Sequence, residues 1–505
     1  MSAGVMCEVR HTSAPARILP VRSPDRLTGL DSSFLHLERD AAHMHVAACA
    51  VFEGPAPAYE QLAAQIESRL HLIPRYRQRL AFVPFDQGRP VWVDDPHFKV
   101  RYHLRHTALP RPGGDDELQR LAGRVFSQAL DRSRPLWELW LVEGLADDRF
   151  ALLSKAHHAL VDGVSGVDIA TVLFDTSPDP VPVSASEHDW IARPLPTGVQ
   201  LLADALLERV TAPGEIVRLA RASLRGPRQV ASKLGEALVG LGALAWAGLN
   251  SAPPSPFNVR IGPHRRFSWV QGDLDEFKEV KNAFDATVND VVLAAVAGAL
   301  GRYMRMGGHP TDGLELRAMV PVSIRASVER GALGNRVTAM WAPLPVGIVD
   351  PVERLLKISA AMERLKDSGQ AVGAHVLTEL TGFAPPTILA QAARLQAHQR
   401  LFNLVVTNVP GPQFPLYVLG RELEAIYPMV PLAENTALGI AIMSYNGQLN
   451  FGLIGDYDAL ANLEALADEL RASIEELVAA ARSPARSWRA SRPRAPDAAA
   501  ARAPE

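Results

Sequence analysis

Cysteine is almost missing from this chain, with only Cys7 and Cys49 among 505 residues. Two thiols, one of them inside the apolar run HVAACAVF, build neither a disulfide framework nor a thiolate metal site, and such sparse use suits a reducing compartment. An excess of one charge is missing too. Fifty-two basic residues against 55 acidic ones leave a formal net charge of -3, with nothing to draw the chain to nucleic-acid phosphates. The longest apolar run, Ala237–Leu249 (ALVGLGALAWAGL), is shorter than the ~20 residues a spanning helix needs, so no transmembrane anchor is expected. The first ~25 residues hold scattered Arg and Pro without a continuous apolar core, so no secretory signal is expected either. Neither a cysteine cluster nor a helical His-x-x-x-His pair is present, and no metal site is expected. The Gly-x-Ser-x-Gly elbow of serine hydrolases is missing as well; Gly163-Val-Ser165-Gly166 has the wrong spacing.

What is present is length, 505 residues, enough for two or three ordinary domains with substantial cores, and an apolar content of 48% that reads as a globular protein. Leu62, Ile66 and Leu70 recur at helical spacing. Leu136–Glu143 and Arg149–Ala156 read as two strands around a polar turn at 144–148. Ser177–Pro196 reads as a loop, and Val199–Leu249 as a helical stretch broken at Pro213 and Gly226-Pro227. Ser251–Pro256 (SAPPSP) is the best domain boundary. Beyond it come a strand at Arg266–Gln271, a helix over Asn289–Met304 and a buried strand at Leu401–Thr407. Leu438–Tyr445 and Gln448–Ile454 flank Asn446-Gly447, a two-residue hairpin signal. Leu463, Leu466, Leu470, Ile474 and Leu477 mark a closing amphipathic helix. The expected organisation is a flexible leader (1–26), an N-terminal domain (27–196), a helical linker (197–256), a C-terminal domain (257–480) and a disordered basic tail (481–505).

The chemistry concentrates in His157-His158-Ala-Leu-Val-Asp162-Gly163. The residues before it, FALLSKA, read as a buried strand and those after it as the start of a helix, so the block occupies an exposed strand-to-helix turn. An imidazole titrating near neutral pH can take a proton from a hydroxyl and return it within one turnover. Asp162 could orient the turn or an arginine, and Gly163 allows a tight backbone excursion. Asn289 and Asp290 open an apolar helix. Helix capping explains much of that pair, but an Asn at a helix N-terminus can also donate to an oxyanion.

The block resembles the HHxxxDG signature of the CoA-dependent acyltransferase superfamily, which includes chloramphenicol acetyltransferase-like enzymes and peptide-synthetase condensation domains. Further segments narrow the likeness: Leu30–Leu35 (LDSSFL), His43–Val46 (HMHV), Arg134–Trp137 (RPLW), Ala286–Val291 (ATVNDV), Val320–Arg325 (VPVSIR), Gly334–Val337 (GNRV) and Asn408–Pro412 (NVPGP). In this order and spacing, from about Leu27 to Ala480, they look like the bacterial wax ester synthase/diacylglycerol acyltransferase family. The resemblance implies an α/β protein of two chloramphenicol acetyltransferase-like domains with an active-site channel at their interface. It implies transfer of a long-chain acyl group from acyl-CoA to diacylglycerol, with a long-chain alcohol, giving a wax ester, as the alternative acceptor, and no cofactor.

By the same resemblance His158 is the base, His157 supports it, and Asp162 turns away from the imidazole toward an arginine, for which Arg325 and Arg336 are both candidates. Asn289 joins the site, while Gly163 and Asp290 are expected at the substrate. Trp137 and its neighbours are expected to pack beside the site, and Asn408–Pro412 to form a wall between the domains. A condensation domain shares the motif but works on carrier-bound thioesters, and no carrier domain is expected here. A non-catalytic lipid-binding protein of the same fold is the competing reading from another class. The expected location is cytoplasmic. Arg218, Arg221, Arg225, Arg228 and Lys233 beside the Trp246-bearing run leave room for peripheral contact with the inner membrane face or a lipid body.

Overall fold

The structure is a computed structural model that describes residues 26–39, 41–161, 173–179, 190–208, 251–323, 337–367 and 400–483. The expected leader up to residue 25, the Ala237–Leu249 run with its basic neighbours, and the tail beyond 483 lie outside these residues.

Two six-stranded mixed sheets organise the molecule, and a hairpin of β2 (Gln78–Ala81) and β3 (Val91–Asp94) stands apart. One sheet contains β1 (His45–Phe52), β4 (Leu104–Ala108), β5 (Trp137–Glu143), β6 (Phe150–His157), β11 (Tyr417–Val418) and β12 (Arg421–Met429), in the order β11-β12-β1-β6-β5-β4. The other contains β7 (Arg265–Asp273), β8 (Leu316–Ser323), β9 (Val337–Leu344), β10 (Leu404–Pro410), β13 (Leu438–Tyr445) and β14 (Gln448–Asp456), in the order β7-β14-β13-β10-β8-β9. Most residues of β6 are buried, which explains its nearly unbroken apolar sequence: it is an inner strand flanked by β1 and β5. Its antiparallel register with β1 sets His45 opposite His157.

Helices form where the apolar spacing asks for them. Thr28 caps α1 (Gly29–Leu37) by accepting from the Asp31 amide, and α2 (Tyr59–Arg69) buries Leu62, Ala63 and Ile66. A short α3 (Val100–His103) and α4 (Asp115–Phe126) complete the first half, and α5 (Leu274–Ala283) opens the second. The helix α6 (Val288–Met306) is buried continuously from Asp290 to Gly301, because α5, α7 (Pro351–Asp367), α8 (Leu463–Arg482) and β9 pack around it. A helix apolar on every side belongs in such a place. The hairpin forms as expected, with φ of 44° at Asn446 and 82° at Gly447 joining β13 to β14.

Two arrangements differ from the linear division of the sequence. Strands β11 and β12, from the C-terminal part, lie in the first sheet, where β12 pairs with β1. The closing helix also runs through Arg482, inside the tail expected from residue 481; Arg482 pairs with Glu276 and Glu279 on α5, which gives this basic residue a folded partner. The SAPPSP segment is tied down rather than loose. Buried Asn403 donates to the Pro253 carbonyl at 2.7 Å, and the Ala252 amide donates to Arg400 O at 2.6 Å. No single helix among the described residues is long and apolar enough to cross a membrane.

Candidate active site

The strand β6 delivers both histidines and then stops. The His157 amide donates to Leu136 O at 2.9 Å, and the next amide, of His158, donates to Met44 O at 2.8 Å just before β1 begins. The chain then turns, with the Leu160 amide donating to His157 O at 2.8 Å. Strands on both sides thus fix the backbone of the pair before any side chain is considered.

His157 is buried and fully engaged. The Ala159 amide donates to its Nδ1 at 3.0 Å, so the neutral ring carries its hydrogen on Nε2, which lies 3.2 Å from Glu38 Oε2. Glu38 is the residue that ends α1. The same oxygen accepts from Arg132 Nε at 3.1 Å, and His43 Nδ1 stands 3.8 Å from the other oxygen. Burial alone would raise the Glu38 pKa; the hydrogen bonds from His157 and Arg132, with the charge of Arg132, outweigh it and hold the carboxyl at about 2.

His158 is held differently. Its ring stacks on Phe34 of α1, with centroids 4.0 Å apart and planes 20° from parallel. Its Nδ1 is buried, and no other residue among those described bonds it. Burial pushes its pKa down to about 4; its own main-chain carbonyl favours the proton without offsetting burial, and His157 disfavours it. The imidazole is therefore neutral at physiological pH, the state in which it can accept a proton.

The rest of this region is made of polar groups held by the main chain. Lys155, on the same strand face as His157, is buried with its Nζ bonded to Val125 O at 3.2 Å and Gln128 O at 2.9 Å, and 3.3 Å from Glu138. His45 Nε2 meets Phe126 O at 2.9 Å, and its Nδ1 has no partner among the described residues. A small cavity at the junction of the two sheets is lined by His43, His45, Arg265, Met429, Leu432 and Ile454 among others; His158 is not part of its lining.

The other expected residues fall as follows. Asp162, Gly163, Arg325 and Arg336 lie outside the described residues. Asn289 is half-buried in the first turn of α6, and no described hydrogen bond ties it to the histidine turn. The cap of that helix is Thr287 rather than Asn289 or Asp290. Thr287 Oγ1 accepts from the Asp290 amide at 3.2 Å, and Asp290 Oδ2 accepts from the Thr287 amide at 2.9 Å. Asp290 is thus occupied in a capping box, with Oδ1 buried and without a partner among the described residues. Trp137 packs as expected: its Nε1 donates to Tyr76 O at 2.8 Å and its ring stacks on His103 at 4.6 Å. The Asn408–Pro412 segment ends β10, and Gly411 passes close enough to Ser444 that a Cβ there would stand 2.2 Å from its carbonyl oxygen.

Sequence reasoning missed Glu38, Arg132 and the placement of Phe34. Phe34 lies in the LDSSFL segment, which was a visible signal. Glu38 offers none, because its partner is 119 residues away.

Comparison with known proteins gives one consistent likeness. Residues 27–292 match the wax ester synthase/diacylglycerol acyltransferase catalytic domain, passing through the SAPPSP segment, and residues 333–478 match the WS/DGAT C-terminal domain. A Mycobacterium tuberculosis protein named as diacylglycerol O-acyltransferase tgs1 is 35% identical over 462 residues, covering 90% of this chain and 96% of its own. The solved wax ester synthase/diacylglycerol acyltransferase of Marinobacter aquaeolei VT8 is 32% identical, with a TM-score of 0.63 over 90% of this chain and 99% of its own. The starter condensation domain of rhizomide synthetase shares the fold at 15% identity, with a TM-score of 0.56 over 91% of this chain and 95% of its own.

Proposed function

The chain belongs to the wax ester synthase/diacylglycerol acyltransferase family, and from that premise we propose that it transfers a long-chain acyl group from acyl-CoA to diacylglycerol, forming triacylglycerol. The observation that carries the reaction to particular atoms is the neutral, half-buried His158 imidazole at the end of β6, stacked on Phe34 and next to the fixed His157. Such a base takes the proton of the acceptor hydroxyl as its oxygen attacks the thioester carbonyl. The tetrahedral oxyanion then collapses, the C–S bond breaks, and the imidazolium returns the proton to the departing CoA thiolate. Protons and electron pairs balance without an acyl-enzyme. Asn289, on the first turn of α6, is the proposed donor to the oxyanion. A long-chain alcohol would pass through the same steps to give a wax ester, and the family's name covers both products.

Purified protein supplied with labelled long-chain acyl-CoA and either diacylglycerol or a long-chain alcohol tests the reading. Labelled triacylglycerol is the expected product, and His158→Ala should lower kcat by at least ~10²-fold. Near-normal turnover by a folded His158→Ala protein would overturn the mechanism. Ligand binding without turnover would favour a lipid-binding protein of the same fold.

A further inference from the structure

The histidine pair is held from one side by a single short helix. Phe34 and Glu38 are four residues apart, linked by the hydrogen bond from the Glu38 amide to Phe34 O at 3.1 Å, and they meet different histidines. Phe34 lies against the His158 ring, and Glu38 receives the His157 Nε2 contact at 3.2 Å. Helix α1 is itself anchored. Arg132, from the loop before β5, donates to Glu38 at 3.1 Å and to Leu35 O at 3.3 Å.

This matters because, among the described residues, no neighbouring side chain orients His158 through its second nitrogen. A catalytic imidazole is commonly aimed by a carboxylate or carbonyl bonded to its second nitrogen. Here no other residue among those described bonds His158 Nδ1, and only the ring's own main-chain carbonyl favours its proton, so the ring takes its direction from the stacked Phe34 and from the backbone of residues 157–160. That backbone depends on His157, whose ring is fixed at Nδ1 by the Ala159 amide and at Nε2 by Glu38. Of these two grips on the His157 ring, Glu38 is the one made by a side chain.

We propose that Glu38 is a positioning residue for acyl transfer, acting through His157, and that α1 sets the orientation of the His158 base by gripping the pair with Glu38 and Phe34. This rests on the reading of His158 as the base. Glu38 itself exchanges no proton with substrate; its carboxylate, paired with Arg132 and facing His157 and His43, keeps the turn in one conformation. Aiming is a transition-state matter, so its loss should appear in kcat rather than in substrate affinity.

Four proteins, the parent, Glu38→Gln, Phe34→Leu and His158→Ala, are compared by kcat, KM for both substrates and Tm. Glu38→Gln and Phe34→Leu should each lower kcat by roughly 10–10²-fold, with both KM values within about twofold. The loss should persist when the assay is run well below each variant's Tm. Folded Glu38→Gln and Phe34→Leu proteins with the parent kcat would overturn the proposal. So would losses that vanish on cooling or fall on KM alone, since those mark plain destabilisation or substrate contact. Phe34→Leu keeps the question answerable if Glu38→Gln does not fold. His158→Ala separates the two ideas: an inactive His158→Ala beside fully active Glu38 and Phe34 variants removes only the role of α1. An active His158→Ala removes the base on which that role rests.

Discussion

At the scale of single residues, exclusion of water does the tuning. His158 is kept neutral because a charged ring would be costly where it sits, while Glu38, 119 residues away from His157, is kept charged because His157 and Arg132 meet it. Groups with opposite demands thus meet at the histidine pair, and the pH dependence of the reaction follows. The reactive form of His158 is the deprotonated one, and its pKa lies at about 4. Turnover should therefore hold from neutral pH down to about 5 and be halved only near 4, rather than near the 6.5 of an ordinary histidine. A kcat/KM profile falling with an apparent pKa of 6 to 7 would contradict the desolvated ring. The histidines themselves were legible as a motif. Their settings were not, because burial and the Glu38 contact come from chain segments that the local sequence does not name.

Elements were read well wherever the signal was local. The Asn446-Gly447 hairpin, the closing helix and the strand before the histidines all follow from spacing and turn chemistry within a few residues. The start of α6 shows the limit of such reading. Asn and Asp both suit a helix start, and only the structure assigns capping to Thr287 and Asp290, leaving Asn289 outside the capping box. The two neighbours should therefore separate cleanly by experiment. Asp290→Ala removes one side of the box and should lower stability by about 1 kcal/mol, seen as a lower Tm, with further loss from the packing around its buried carboxylate. Asn289→Ala should leave Tm close to the parent and reduce kcat by ~10²-fold, the cost of one oxyanion donor. If instead Asn289→Ala melts early with its kcat intact at low temperature, Asn289 belongs to the helix and not to the chemistry.

Across the whole molecule the decisive feature is the passage of β12 from the C-terminal part into the first sheet, which no periodicity could announce because register with a distant strand leaves no local trace. There Ala48 of β1 faces Pro428 on one side and Ser154 of β6 on the other, so β12 is one strand removed from the strand that carries the histidines. The second sheet reaches the same place through Gly452 of β14: a Cβ on Gly452 would stand 1.8 Å from the Pro428 carbonyl oxygen. Backbone cannot yield there as the end of a long side chain would. Gly452→Ala must push β12 away from β14, and overpacking of this kind costs ~1–3 kcal/mol. Because the displaced strand is hydrogen-bonded to β1, and Met44 just before β1 holds the His158 amide, the strain should reach the site. Gly447 gives the contrast. It holds φ at 82° in the hairpin with open space around it, so Gly447→Ala strains only the local turn. Both variants should lose Tm, but at a temperature where both are folded Gly452→Ala should lose kcat while Gly447→Ala keeps it. Equal kcat in the two would mean that the junction of the sheets holds the fold together without shaping the histidine turn.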